Sequence, residues 1–449
     1  MTKTVSEQLA HHFVNLTDDA IPARVRKDAA TLVRDYLGVA LGGSRTGSGR
    51  AARQFVLETG GKAEASLIGG GPARVPAVHA AFANAIASHS IELDDVDVLA
   101  LFHFSPPVVS AALAVAERVG ASGQQFITAV VAGCDMMARA SNATNFSLRN
   151  RGYHTTPVCG VFGATIAAAR LLRLSEEQVV SALGMAGAQA SGLMEMYGPS
   201  MQKRFNPGPA ARNGVTSALM AQLGFTGTAT IFEGERGFCR AFADESDISA
   251  LTRELGSDFP IHIEYKPYSC ARPIHNAIDC ALNVRAEMDE PVEAIAGMKM
   301  WRHPAWAHYH LNTAPKTYHE AQVSLPYSVA VALIDGAALF PQYQNERLAD
   351  PQIVRLSNML EVLPDDGLPR GVSCLLELTT ASGKVYRSQV DHPRGSIENP
   401  MSEAELNQKV HLLAEPSIGA QGVAGLIADL GQIDSGLPVS TIAARFTVA

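Results

Sequence analysis

Along roughly the first 255 residues, apolar side chains return at helical spacing in one segment after another. Val25, Ala29, Leu32, Val33, Tyr36, Leu37 and Ala40 share one face, with Pro22 in the opening turn and Gly42-Gly43 at the close. VHAAFANAIASHS (78–90) and VCGVFGATIAAARLL (158–172) are richer in alanine and other small residues, which suits interior helices packed closely on several sides. Ser175 with Gln178, and Ser402 with Glu405, read as capping boxes.

The pattern changes after about residue 268. EAIAGMKMW (293–301) has strand composition, and CLLELTTASGKVYRSQV (374–390) reads as two strands joined through Ser382-Gly383. Between them, SLPYSVAVALIDGAAL (324–339) returns to helical periodicity. The expectation is a mostly α fold: a large all-helical domain over 1–267, a smaller α+β domain over 268–396, and a helical tail over 397–449 that rejoins the first. The 449 residues exceed what one hydrophobic core usually supports, which agrees with two domains.

Composition narrows the function more than the fold. A net charge of −8 with no basic run offers no footprint for nucleic acid or an anionic membrane. The amino terminus lacks a leader pattern and no window holds about 18 uninterrupted apolar residues, so a cytoplasmic protein is expected. Cysteines at 134, 159, 239, 270, 280 and 374 are scattered without a C-x-x-C pair, which reads as reduced thiols and provides no iron–sulfur ligand set. GGSRTGSG (42–49) and IGGGP (68–72) lack a phosphate-binding ending and read as turns.

Four segments carry candidate chemistry. In HSIELDDVDVLALFHFS (89–105), Glu92, Asp94, Asp95 and Asp97 lie close together between His89 and His103. Crowded, desolvated carboxylates suit proton transfer, while a solvated acidic loop is the competing reading. No metal-ligand spacing supports a metal there, and His303, His308 and His310 read as surface or packing histidines. In RNRGYHTTPVCGVFGA (149–164), His154 precedes an interior helix, where backbone donors can meet an anion. SMQKRFNPGPAARNG (200–214) offers Lys203 and Arg204 as seats for a carboxylate, or as part of a solvated basic loop. IEYKPYSCARPIHNAID (263–279) sets Lys266, Cys270 and His275 at the domain junction, with Cys270 the kind of thiol that is buried and inert. By composition alone Tyr327 is a core tyrosine.

In order, HSIELDD, RGYHTTPVCGVFGAT, KRFNPGPAARNG, EGERGF (233–238), YKPYSCARPIHNAID, SLPYSVAVALIDG and GSIENPMSEAELNQK (395–409) give a chain that resembles the MmgE/PrpD family over nearly its whole length. That family contains 2-methylcitrate dehydratases, cis-aconitate decarboxylases and an iminodisuccinate epimerase. The resemblance implies that the α+β domain is a lid, that the protein is a homodimer, and that an interdomain cleft binds a small carboxylic acid without metal or organic cofactor. It selects Asp94 or Asp95, His103, His154, Lys203, Lys266 and Tyr327 as pocket residues. Proton abstraction beside a carboxylate would then use the histidines as acid and base, with the lysines steadying the charge.

The expected activity is that of a hydro-lyase, a cofactor-independent dehydratase. The alternatives are an isomerase or epimerase using the same abstraction, and a non-catalytic relative that binds a carboxylate or a partner. Family members typically read D-F-D-D-T/S and then His-Pro-Ser, whereas this chain has Glu92-Leu93-Asp94-Asp95-Val96 and His103-Phe104-Ser105. A longer acid at 92 and a lost hydroxyl at 96 predict a substrate other than 2-methylcitrate or cis-aconitate, with fewer carboxylates or a more apolar body. Phe102, Phe104, Met194 and Met196 are available to line its site.

Overall fold

Small residues let five helices, Ala77–Ser88, Ser105–Val119, Gly123–Thr144, Thr155–Leu171 and Pro207–Gln222, stack at the centre of the molecule. In Thr155–Leu171 every residue but Arg170 is buried, as its composition predicts. Where this helix crosses Gly123–Thr144, a Cβ on Gly163 would lie 2.6 Å from the Gly133 carbonyl oxygen, and one on Gly133 would lie 2.8 Å from that of Gly163. Only glycine permits so close a crossing.

The structure is a computed structural model that describes residues 3–196, 199–369 and 371–447. It is mostly helical with a smaller α+β part. The predicted strand is Ile295–Arg302, and the hairpin is Cys374–Thr380 with Val385–Val390, its turn closed by the Thr380 N–H donating to the Lys384 carbonyl at 2.9 Å. A further strand, Leu360–Pro364, pairs in parallel with Ile295–Arg302, whose other edge meets the hairpin antiparallel. Alternate residues Cys374, Leu376, Leu378 and Thr380 are buried, and the helix His275–Glu287 packs against the hairpin. These side chains, with those of Leu325–Asp335 and Pro351–Met359, form a second core running from Tyr268 to Tyr386.

The chain then leaves this unit. Helix Glu403–Leu430 packs along Ala23–Gly43, so closely at Gly38 that an added Cβ would sit 3.0 Å from Val410 Cα. It bends at Gly419, whose φ is 68°. Both expected capping boxes are present, at Ser175 and Ser402. One reading needs correction: GGSRTGSG is not a simple turn, because Thr46 caps a helix, Gly47–Thr59, that begins inside it. Its Gly49 lies against the preceding helix end, where a Cβ would meet the Gly43 carbonyl oxygen at 2.3 Å, so close packing explains that glycine. Among the described residues, no helix is long and apolar enough to cross a membrane.

Candidate functional site

Between the helices Ala77–Ser88 and Ser105–Val119 the chain runs through the interior without regular structure. His89, Glu92, Asp94, Asp95 and Asp97 are each at most 1% exposed, so this acidic segment is not a solvated loop. Buried irregular backbone must find partners. Val96 exchanges hydrogen bonds with Glu264 at 3.0 and 2.9 Å, and Asp97 with Phe102 at 2.9 and 3.3 Å. Asp97 also accepts from the Leu99 and Ala100 N–H groups, both at 2.9 Å, which fits it to a structural role.

The Asp95 carboxylate accepts the Phe104 and Ser105 N–H groups at 2.7 and 3.0 Å, at the start of the next helix, where a negative charge is favoured. Burial and the adjacent Asp94 push its pKa up to about 7 against those donors. It braces the segment and leaves Asp94 as the acid facing the histidines.

Asp94 lies between two imidazoles, with His89 Nδ1 at 2.7 Å and His103 Nδ1 at 3.2 Å. Burial works to raise its pKa, but His103 and His89 outweigh burial and hold the carboxyl below its usual range. Burial pushes His103 down to about 3 despite Asp94, and it lowers His89 and His154 as well. All three rings are therefore neutral near pH 7.

Their partners fix the tautomers. His103 Nδ1 faces two acceptors, Asp94 and the Asp95 carbonyl, so it carries the proton and Nε2 keeps a lone pair. His154, just before helix Thr155–Leu171, receives Asn206 Nδ2 on its Nδ1 at 3.0 Å, so its proton is on Nε2. The His89 ring centroid lies 5.0 Å from that of His103 and 6.2 Å from that of His154. One cluster thus holds both a proton acceptor and a proton donor.

The second half of the site is cationic. Lys203 and Arg204, on the short helix Gln202–Phe205, both contact Glu92 Oε1, while Lys266 Nζ reaches Oε2 at 3.2 Å. Burial would raise the Glu92 pKa, but the three cations hold it well below the carboxylate range. Lys266 is 1% exposed, and Glu92 and Asp94 more than offset the burial that would lower its pKa, leaving it raised.

Residues outside the expected set complete the frame. Gln322 accepts Arg204 Nη2 at 2.9 Å and donates to the Ile91 carbonyl at 3.0 Å and to Ser269 Oγ at 3.1 Å. Lys409, from the returning helix, donates to the Leu93 carbonyl at 2.6 Å and pairs with Asp35 at 2.6 Å. His89, Asn206 and Lys409 stood within quoted motifs, HSIELDD, KRFNPG and GSIENPMSEAELNQK, but Gln322 had no motif to mark its role.

His89, Asp94, His103, His154, Glu92, Lys203, Arg204 and Lys266 therefore come together. Tyr327 does not join them. Its hydroxyl donates to the Gln342 carbonyl at 2.7 Å and its ring packs near Tyr343 in the second core. Cys270 is buried, and burial raises its thiol to about 12, which makes it unreactive. Phe102 and Phe104 pack on each other in the helical core at 4.6 Å, and Met196 Sδ receives Asn206 Nδ2 at 3.0 Å.

His89, Asp94 and His103 could also hold a metal ion, since their ligand atoms lie within 4.8 Å of one another. Both histidine Nδ1 atoms already meet Asp94, however, and the positive charge of Lys266 acts on that same carboxylate. A cavity of about 1100 Å³ is lined by Leu93, Pro267, Tyr318, Phe340 and Lys409, but not by the histidines or Glu92; His89, His154 and Glu92 are buried, and the His103 side chain is 12% exposed.

Comparison with known proteins gives matches to the MmgE/PrpD N-terminal domain over residues 7–251 and to the MmgE/PrpD C-terminal domain over residues 268–429. A cis-aconitate decarboxylase of Aspergillus terreus is 26% identical, with 91% of this chain and 89% of that protein covered. The cis-aconitate decarboxylase of Homo sapiens is 25% identical over 95% of this chain and 91% of its own length. The cis-aconitate decarboxylase-like protein oryM of Aspergillus oryzae is 25% identical over 98% and 96% respectively.

Proposed function

The chain belongs to the MmgE/PrpD family, and from that premise we propose that it is a lyase that removes water from a small hydroxy acid by taking a proton beside a carboxylate. The observation that carries this reading is the pairing of His103, with a free Nε2 lone pair and Asp94 behind it, with His154, whose proton is on Nε2. A base and an acid must both be available near neutral pH for such a step.

In this reading His103 Nε2 takes the proton and becomes imidazolium, stabilised by Asp94. The electron pair passes into the carboxylate, where Lys203 and Lys266 stabilise the added charge. The C–O bond to the β-hydroxyl then breaks as His154 gives its Nε2 proton to the departing oxygen. An unsaturated acid and water leave.

A second reading, decarboxylation, is favoured by the names of the relatives above. There the bond to a carboxyl carbon breaks, carbon dioxide leaves, and His154 protonates the resulting carbanion. A panel of hydroxy and unsaturated mono-, di- and tricarboxylates, followed by proton NMR with carbon dioxide trapping, separates the two. Formation of an unsaturated acid with no carbon dioxide is expected. Release of carbon dioxide would replace dehydration by the second reading, and inertness toward the whole panel would remove both.

A further inference from the structure

His319 is 7% exposed, and among the described residues neither of its ring nitrogens has a hydrogen-bond partner. A buried imidazole in that condition is costly, because its donor and its acceptor have both given up water. His319 lies on the short helix Tyr318–Ala321, three residues before Gln322 and so on the same side of the turn. Gln322 accepts Arg204 Nη2 at 2.9 Å. Arg204 also gives Nη1 to Glu92 and is left with a buried Nε that has no partner. The cationic cluster therefore has two ends. Lys266 acts on His103, at the proton-transfer end, whereas Arg204 is the charge that acts most on His319, ahead of Glu92 and Lys203.

We propose that His319 is a further substrate-binding residue, which together with Arg204 Nε receives a second carboxylate of the substrate at the end of the cluster away from the proton transfer. This rests on the reading of the cationic cluster as the seat of a small acid, and it makes that acid at least a dicarboxylic one. A carboxylate suits the two groups because it only accepts, and its two oxygens can take the Arg204 Nε–H and an imidazole N–H together. Burial, with Arg204 beside it, holds the His319 ring down to about 4. An anion against the ring raises that value and draws in a proton, so the second carboxylate brings part of its own counter-charge into the site.

Isothermal titration calorimetry of the full chain with glutarate tests this without turnover, since glutarate has two carboxylates and no hydroxyl to lose. At pH 7 His319→Leu should bind it about tenfold more weakly than the wild type, the scale of a lost hydrogen bond to a charged group. His319→Gln keeps an N–H donor and should lose about threefold or less, and it decides the question if the leucine variant does not fold. At pH 6, titrations in two buffers of different ionisation enthalpy should show the wild type taking up about 0.3 proton more on binding than His319→Gln. Unchanged affinity in His319→Leu overturns the proposal. So does a loss of affinity with equal proton uptake, which would assign the ring to packing, and so does a wild type that gives no heat of binding at millimolar glutarate. If the panel of acids proves inert while these shifts appear, dehydration falls and the seat stands; turnover of a panel acid by His319→Leu at the wild-type KM sinks the seat alone.

Discussion

Around Asp94, three imidazoles stay neutral and one carboxylate carries the charge, whereas around Glu92, two positions earlier, three cations converge on one carboxylate. The first arrangement holds protons in chosen places, and the second holds charge in a chosen place. They also differ in origin. His89, Asp94, His103, His154 and Asn206 all lie within the amino-terminal helical part, so the proton machinery is assembled there. The cationic half needs Lys266, just before the second core begins, and Gln322, just ahead of helix Leu325–Asp335. Proton placement is set by one part of the chain, and charge placement depends on how the two parts meet.

The largest effect should come from Asp94→Asn, which removes the acceptor that both histidine Nδ1 protons share. Turnover of the substrate identified by the panel should fall by about 10³- to 10⁴-fold, the scale seen when a carboxylate that orients a catalytic imidazole is made an amide. A variant with near-normal kcat/KM would break the distinction between the halves.

Lys266→Met should act on stability as well as on binding. It leaves Glu92 Oε2 without its buried cation, at a cost of about 3 kcal/mol in urea unfolding. Lys203→Met, whose side chain is 12% exposed, should cost less. Equal losses would mean that the buried cation next to the second core has no special part in the fold.

The third test uses pH. Burial holds His154 well below its usual 6.5, so below that pH the unfolded chain takes up a proton that the folded chain refuses. The stability from this neutral ring is complete above about pH 6.5 and is lost as pH falls, at up to about 1.4 kcal/mol per pH unit. Between pH 7 and 5.5 the wild type should lose about 1 kcal/mol more than His154→Gln. Parallel urea midpoints for the two proteins would refute it.

Tyr327→Phe should give the smallest change. Loss of its hydrogen bond to Gln342 should cost about 0.5–1 kcal/mol and alter turnover by less than about twofold. A severe loss of turnover with normal stability would mean that the hydroxyl reaches the substrate after all.

What could be read beforehand follows from how local each signal is. Periodicity and small residues marked the helices, and Ser382-Gly383 marked the hairpin. The strand Leu360–Pro364 escaped because it follows directly on the helix Pro351–Met359, with no glycine or proline between them. At the site, His154, Lys203 and Lys266 stood in short motifs, and Asp94 with His103 in a dense acidic run. The identity of Glu92 was legible but not its surroundings, because three cations from distant positions meet only in the folded chain. Tyr327 shows the reverse case: its place in SLPYSVAVAL already described a core residue, and the resemblance pulled it toward the site.

The bond from Lys409 to the Leu93 carbonyl adds a consequence in time. These residues are 316 positions apart, so on the ribosome the segment bearing Glu92 and Asp94 is made long before the ammonium that anchors it. Asp35 waits for the same partner, and burial raises its pKa even with Lys409 in place. The nascent chain can therefore stack its early helices and still lack a finished centre. The centre is completed late in synthesis, when helix Glu403–Leu430 emerges and brings Lys409 to the Leu93 carbonyl and Asp35.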